Sequence, residues 1–406
     1  MKLATRNSLK VTAIAAAVLL LGGCGGGQGL APVALVVAAA PVVIPAENKN
    51  IKAVNLGAVF TVSYDGSTDD LLTAGLGKTG LGGAAPVAAV PLNPTAAELR
   101  KIAIFNNYRA ILDITASGGY GTLYGPNVDA KGVVTTSEGK IAGTEHIAYS
   151  DDGTGKQNIT MMVQVPATFN PASPCIVTGA SSGSRGVYGA IGSSGEWGLK
   201  NGCAVAYTDK GTGNGIHDLQ NDTVSVQNGV RTDATAAGKN SIFTAILSAI
   251  ERVAFNTATP NRFAVKHAHS QQNSEKDWGK FTLQSVEFAY FVLNEKYGDL
   301  AKDGVSHLKT LTPANTIVIA SSVSNGAGAA LAAAELDTQG LISGVAVAEP
   351  EVQLAPDARL SVKRGATTLA GTGKSLYDYF TLANLMQPCA ALVSRSEERR
   401  VGKECW

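Results

Sequence analysis

The chain is predicted to be an α/β protein built on a mostly parallel sheet, and three features of the sequence predict it. From Pro174 onward, apolar β-branched runs (Cys175–Gly179, Cys203–Asp209, Thr316–Ser321, Leu341–Val347) are separated by segments long enough to hold helices. Each run ends in a Gly-rich or polar loop, which gathers the loops at the carboxyl edge of the sheet, where such sheets bind ligands. The third feature is Thr316–Leu336, an apolar strand that passes through Ser322-Val323-Ser324-Asn325-Gly326 into an Ala-rich helix.

From the N-terminus, Lys2, Arg6 and Lys10 precede the apolar run Val11–Leu21, too short for a comfortable membrane span, and small residues lead from it to Cys24. Residues 1–23 thus read as a lipoprotein-type signal, with Cys24 the lipidated first residue of the mature chain; an ordinary cleaved signal is the alternative. Both imply export, and a membrane contact only through an N-terminal lipid anchor. Residues 24–53 form a low-complexity tether of Gly, Ala, Val and Pro. In an exported chain disulfides can persist. Cys175 and Cys203 each open a strand-like run, so neighbouring strands can bring them together, but with Cys389 they make an odd set and the pairing stays open.

Residues 54–170 are an N-terminal region with a helix and short strands. Gly77-Lys78-Thr79 lacks the Gly that a phosphate loop needs five residues earlier, where Leu72 stands, and is expected to be a loop. Asp65, Asp69 and Asp70 read as solvated turn residues. Thr95 and Glu98 form a capping-box pattern at the start of a helix running to Leu112, with Leu99, Ile102, Ile104, Tyr108 and Ile111 on one face. Ile141–Tyr149 and Asn158–Pro166 alternate as antiparallel strands do. Residues 171–393 carry the parallel sheet, with Phe281–Tyr297 as the helix before the Ser324 strand. The charged run 394–406 resembles a translated sequencing adapter, so the sheet is expected to be incomplete at the C-terminus.

With 33 Lys+Arg against 32 Asp+Glu, the chain lacks the electrostatic footprint of a nucleic-acid binder. Only 16% of residues are charged, which suits an enzyme working on a neutral, apolar small molecule. No zinc-type ligand spacing occurs, and neither metal nor cofactor is expected. The chemistry centres on Ser324. A strand that turns sharply into a helix pushes its central hydroxyl into the open, and small neighbours let it do so; this is the nucleophile elbow, α/β-hydrolase-like, with Ser322 in place of the first Gly of G-x-S-x-G. The Asn325 backbone N–H would be one oxyanion donor, and the loop Ser181–Gly186 the source of the second, with Ser182 and Arg185 as substrate-binding candidates. Arg185 would meet a terminal carboxylate. The histidines are at 146, 217, 267, 269 and 307, none after Ser324. His217, His267 and His269 are candidates for the cleft, and Glu349 and Asp209 for the acid.

At these residues the sequence resembles the bacterial (R)-3-hydroxybutyrate oligomer hydrolases. The resemblance rests on Tyr64–Gly83 (YDGSTDDLLTAGLGKTGLGG), Ser181–Gly213, Lys266–Gln284, Ile317–Ala330 (IVIASSVSNGAGAA) and Arg364–Tyr379. It implies a secreted or surface-attached serine esterase that cleaves short 3-hydroxybutyrate esters with Ser324 as nucleophile, in a copy shorter than its family. No position here matches the family's base or acid. One rival is an esterase of the tannase or feruloyl-esterase kind, which usually has Cys before the Ser, where Val323 stands. Another is a non-catalytic surface lipoprotein.

Overall fold

The computed structural model describes residues 45–48, 59–150, 158–212, 215–266, 274–352, 361, 363–368 and 376–393. Cys24, His267, His269 and the run 394–406 lie outside them. The strands are β1 (Phe60–Tyr64), β2 (Gly143–Ser150), β3 (Ile159–Pro166), β4 (Cys175–Ala180), β5 (Ala204–Thr208), β6 (Ile216–Asp218), β7 (Thr223–Ser225), β8 (Arg231–Asp233), β9 (Phe263–Val265), β10 (Ile317–Val323), β11 (Gly344–Ala348), β12 (Lys363–Arg364) and β13 (Thr367–Thr368). The helices are α1 (Gly77–Gly82), α2 (Ala96–Arg109), α3 (Glu196–Lys200), α4 (Ala234–Ala237), α5 (Ala249–Ala258), α6 (Trp278–Tyr297), α7 (Ser324–Leu336) and α8 (Leu376–Val393). Among the described residues no helix is long and apolar enough to cross a membrane.

One seven-stranded sheet has the order β1-β2-β3-β5-β4-β10-β11. Strands β5, β4, β10 and β11 run parallel to one another, as expected from the separated apolar runs. Strands β1, β2 and β3 join as antiparallel neighbours, with β3 against β5. The sheet therefore runs through both sequence regions, those before and after residue 171. A smaller antiparallel sheet has the order β8-β7-β6-β9.

Period-two alternation divides the buried strands between two cores. Met161 and Val163 of β3 and Ala204 and Ala206 of β5 meet Val286, Phe288 and Leu293 of α6. Met162 of β3 and Val205 and Tyr207 of β5 point to the opposite face and meet Phe105 and Tyr108 of α2 and Leu199 of α3. Helices thus cover both faces, which is why these strands read as continuous apolar runs. Each fully buried Val, Leu, Phe or Met among them contributes about 1.5–3 kcal/mol.

The β4/β5 register pairs Ile176 with Ala204, placing Cys175 beside Cys203, and the two form a disulfide with Cα atoms 4.8 Å apart. The bridge closes a sequence separation of 28 residues. Replacing both cysteines by Ala should lower the unfolding free energy by about 3 kcal/mol, read as a lower urea midpoint. A change under about 1 kcal/mol would show that the bridge adds little.

Several local expectations shift. The capping box of α2 forms as read, with Thr95 accepting from the Glu98 amide and Glu98 from the Thr95 amide. The helix ends at Arg109 rather than Leu112, which leaves Ile111 beyond it and 39% exposed, and its buried face is rotated: Ile104, Phe105 and Tyr108 are inside with Arg100, while Leu99 and Ile102 are only half-buried. The cause is Glu145 on β2, which draws Arg100 inward into a two-pronged pair at 3.2 Å on both arms. Asp69 completes that network at 3.0 Å. Asp70, read as solvated, is buried and caps the amides of Leu72, Thr73 and Gly75. Gly77–Gly82 forms the short helix α1 rather than a loop, with the Thr79 amide and hydroxyl bonded to Glu138.

Candidate active site

Three non-glycine residues with positive φ mark the carboxyl ends of parallel strands: Lys210 (φ +47°) after β5, Ser324 (φ +58°) after β10 and Glu349 (φ +49°) after β11. Such a conformation costs about 1–3 kcal/mol at each residue and persists only where surroundings enforce it. Ser324 is the first residue of α7 and is exposed. The tight turn depends on its neighbours. A Cβ on Gly326 would lie 2.5 Å from the Ala180 carbonyl oxygen at the end of β4, so no larger residue fits there. Ser322 is accommodated because its hydroxyl donates to that same oxygen at 2.6 Å. The first turn of α7 has no side-chain cap, so the Asn325 and Gly326 amides lie where the helix supplies no acceptor.

The loop after β4 is fixed against this turn from several sides. The Gly183 N–H donates to Asn325 Oδ1 at 2.6 Å. The Gly183 carbonyl accepts from Ser181 Oγ at 3.0 Å and from Lys210 Nζ at 2.9 Å. Arg185 donates to the carbonyls of Ser182 (2.5 Å), Asn107 (3.2 Å) and Gly189 (2.7 Å), tying the loop to α2. Ser182 is buried, and its carbonyl serves this clamp. Three of the five guanidinium N–H groups are thereby engaged by loop and helix carbonyls. Ser184 at the loop tip is exposed, and its amide has no hydrogen-bond acceptor among the described residues.

The candidate acids differ. Glu349 follows Ala348, which pairs with Val323, so it stands beside Ser324 at the sheet edge and is exposed. Asp209 is buried and bonded to Lys266 at 3.0 Å and to the Gly211 amide at 2.8 Å. The described histidines are engaged elsewhere. His217 is on β6 rather than in a loop, with Nε2 on Asp222 at 2.9 Å and Nδ1 accepting from the Ala245 amide at 3.3 Å, so both ring nitrogens are used. His146 bonds Thr61 and Thr144, and burial aided by Lys296 lowers its pKa to about 4. His307 Nδ1 bonds the Gly298 carbonyl. Among the described residues no group of three His, Cys, Asp or Glu side chains is placed to hold a metal ion.

A cavity of 580 Å³ adjoins the loop, lined by Arg185, Gly186 and Tyr188 of the loop, Tyr64 of β1, Leu99 and Ala103 of α2, and Asn228. Its charged wall residues, Arg100 and Arg185 against Asp69 and Glu145, balance in formal charge, and most of the remaining surface is apolar.

The sequence profile described as 3HB-oligomer hydrolase (3HBOH) matches residues 36–405. The chain belongs to the 3HB-oligomer hydrolase family. It is 80% identical over 392 residues to a D-(-)-3-hydroxybutyrate oligomer hydrolase of Polaromonas naphthalenivorans, covering 97% of this chain and 53% of that protein. A protein of the same name from Albidiferax ferrireducens is 80% identical over 96% of this chain and 53% of its own length. One from Paraburkholderia xenovorans is 58% identical over 84% of this chain and 48% of its own length. The chain spans about half the length of the curated relatives it matches. No solved structure matches it. In this 3HB-oligomer hydrolase family member, sequence reasoning found the Ser324 turn and the loop after β4 but missed Lys210 and the Asn325 side chain that join them. The available signal was Lys210-Gly211, a cation beside a glycine where a buried strand ends.

Proposed function

We propose that the chain carries the nucleophile part of a serine esterase site of the α/β-hydrolase kind, which hydrolyses short (R)-3-hydroxybutyrate oligomers to monomers. The observation that carries the proposal is the exposed Ser324 in left-handed backbone between a buried strand and a helix start. Ser324 attacks the ester carbonyl, the Asn325 N–H takes part in binding the oxyanion, a hydroxybutyrate alcohol leaves, and water releases the acyl enzyme. The largely apolar, charge-balanced cavity suits the neutral ester chain, and Arg185 at its rim the terminal carboxylate. The proton acceptor is a histidine from His267, His269 or the part of the relatives' length that this chain does not span. The Cys175–Cys203 disulfide supports export, with lipidation at Cys24.

The test measures hydrolysis of (R)-3-hydroxybutyrate dimer and of a feruloyl ester, beside fluorophosphonate labelling, for the 406-residue chain and for a chain carrying the relatives' remaining length. Dimer hydrolysis with labelling at Ser324 is expected. Preference for the aromatic ester would move the assignment to the tannase type, and a labelling-silent serine to a non-catalytic lipoprotein. Arg185→Ala should reduce the preference for the free-acid dimer over its methyl ester, about tenfold for one lost charge-assisted contact. An unchanged preference removes Arg185 from substrate binding.

A further inference from the structure

Lys210 is wholly buried at the carboxyl end of β5, an expensive place for an ammonium group that has no close ion-pair partner among the described residues. Its Nζ donates to the Gly183 carbonyl at 2.9 Å and to Thr212 Oγ1 at 3.2 Å, and stands 4.7 Å from the centre of the Trp278 ring. Its own backbone is in the left-handed region, φ +47°, held there by the bond from its amide to Thr208 Oγ1 at 3.0 Å. Two unfavourable features at one residue indicate a position selected for what its amine does.

The amine acts on one peptide unit. In a trans peptide the carbonyl of one residue and the N–H of the next point in opposite directions. Lys210 and Ser181 pull the Gly183 oxygen inward, so the Ser184 N–H is turned outward, away from the buried amine. Asn325 holds the preceding peptide through the Gly183 N–H, and Arg185 holds it from the other side through the Ser182 carbonyl. The Gly183 amide is therefore used up, while Ser184 is exposed and its amide has no acceptor among the described residues.

We propose that Lys210 is a positioning residue whose ammonium group, bonded to the Gly183 carbonyl, aims the Ser184 amide at the oxyanion formed when Ser324 attacks an ester. The inference rests on the serine-esterase reading above. Among the described residues the charged and titratable groups facing the amine are Asp209, Glu351, Arg185 and Glu275; burial, aided by Arg185, outweighs the three carboxylates and lowers the Lys210 pKa to about 8. The charge-assisted bond to Gly183 is thus complete near neutral pH and weakens as pH rises through about 8.

The experiment uses whichever form is active in the dimer assay and follows kcat and KM for dimer methyl ester from pH 6.5 to 9.5. The wild type should lose kcat above about pH 8 with little change in KM. Lys210→Met should lower kcat at pH 7 by about 10–100-fold, somewhat less than outright removal of an oxyanion donor, with no alkaline limb. Lys210→Arg, charged throughout this range, should keep its kcat to pH 9.5. A wild-type kcat that stays level to pH 9.5, or Lys210→Met with wild-type kcat, overturns the proposal. If Lys210→Met does not fold, the wild-type and Lys210→Arg profiles decide. Activity surviving Ser324→Ala would instead sink the esterase reading itself.

Discussion

Ser324→Ala is expected to reduce dimer hydrolysis by roughly four orders of magnitude or more, the scale seen when the nucleophile of a serine hydrolase is removed. The loss should appear in kcat and should abolish fluorophosphonate labelling, while far-UV circular dichroism stays that of the wild type. Geometry adds a second readout. At φ +58° a Cβ is strained, so Ser324→Gly, equally inactive, should match or exceed Ser324→Ala in stability by about 1 kcal/mol. Glycine gives up chain entropy on folding, which limits the gain to this size. If Ser324→Ala retained a tenth of the wild-type rate, another group would be the nucleophile; if Ser324→Gly were clearly the less stable of the two, the turn would not be strained.

Arg100→Met should destabilise the fold by about 3–5 kcal/mol, the cost of leaving a buried charge without its partner. Arg100 and Glu145 are 8% and 2% exposed, and the guanidinium reaches Glu145, Asp69 and the Asp70 carbonyl while lying 3.9 Å from the centre of the Tyr64 ring. This network fastens α2 to β1 and β2 and forms a wall of the cavity. The double variant Arg100→Met with Glu145→Gln should recover a large part of the loss, because the introduced amide carries no charge and its oxygen can still accept from the Tyr188 hydroxyl, which now bonds Glu145 at 2.8 Å. Urea denaturation of the wild type and both variants measures these differences. A loss below 1 kcal/mol for Arg100→Met would mean that the pair behaves like an exposed salt bridge.

The parallel strands, α6 and the Ser324 turn were legible in the sequence because each is written locally, as a β-branched run, a long segment between two such runs or a change of composition around one residue. The capping box of α2 was legible for the same reason. The buried face of that helix was not: Arg100 is inside because Glu145, 45 positions away, is opposite it. Asp70 is likewise indistinguishable in sequence from a solvated turn residue, whereas its carboxylate holds three amides in a buried turn.

By itself the sequence determined the α/β class, the family and the serine at the strand-to-helix turn, since apolar periodicity and short motifs are properties of contiguous residues. Only the tertiary structure decided which groups surround that serine. It paired Cys175 with Cys203 through the β4/β5 register, engaged both nitrogens of His217 with Asp222 and the Ala245 amide, and brought Lys210, Gly183 and Asn325 into one hydrogen-bonded chain. These contacts join strands β5, β4 and β10, which are adjacent in the sheet but far apart in the chain, so no local pattern records them.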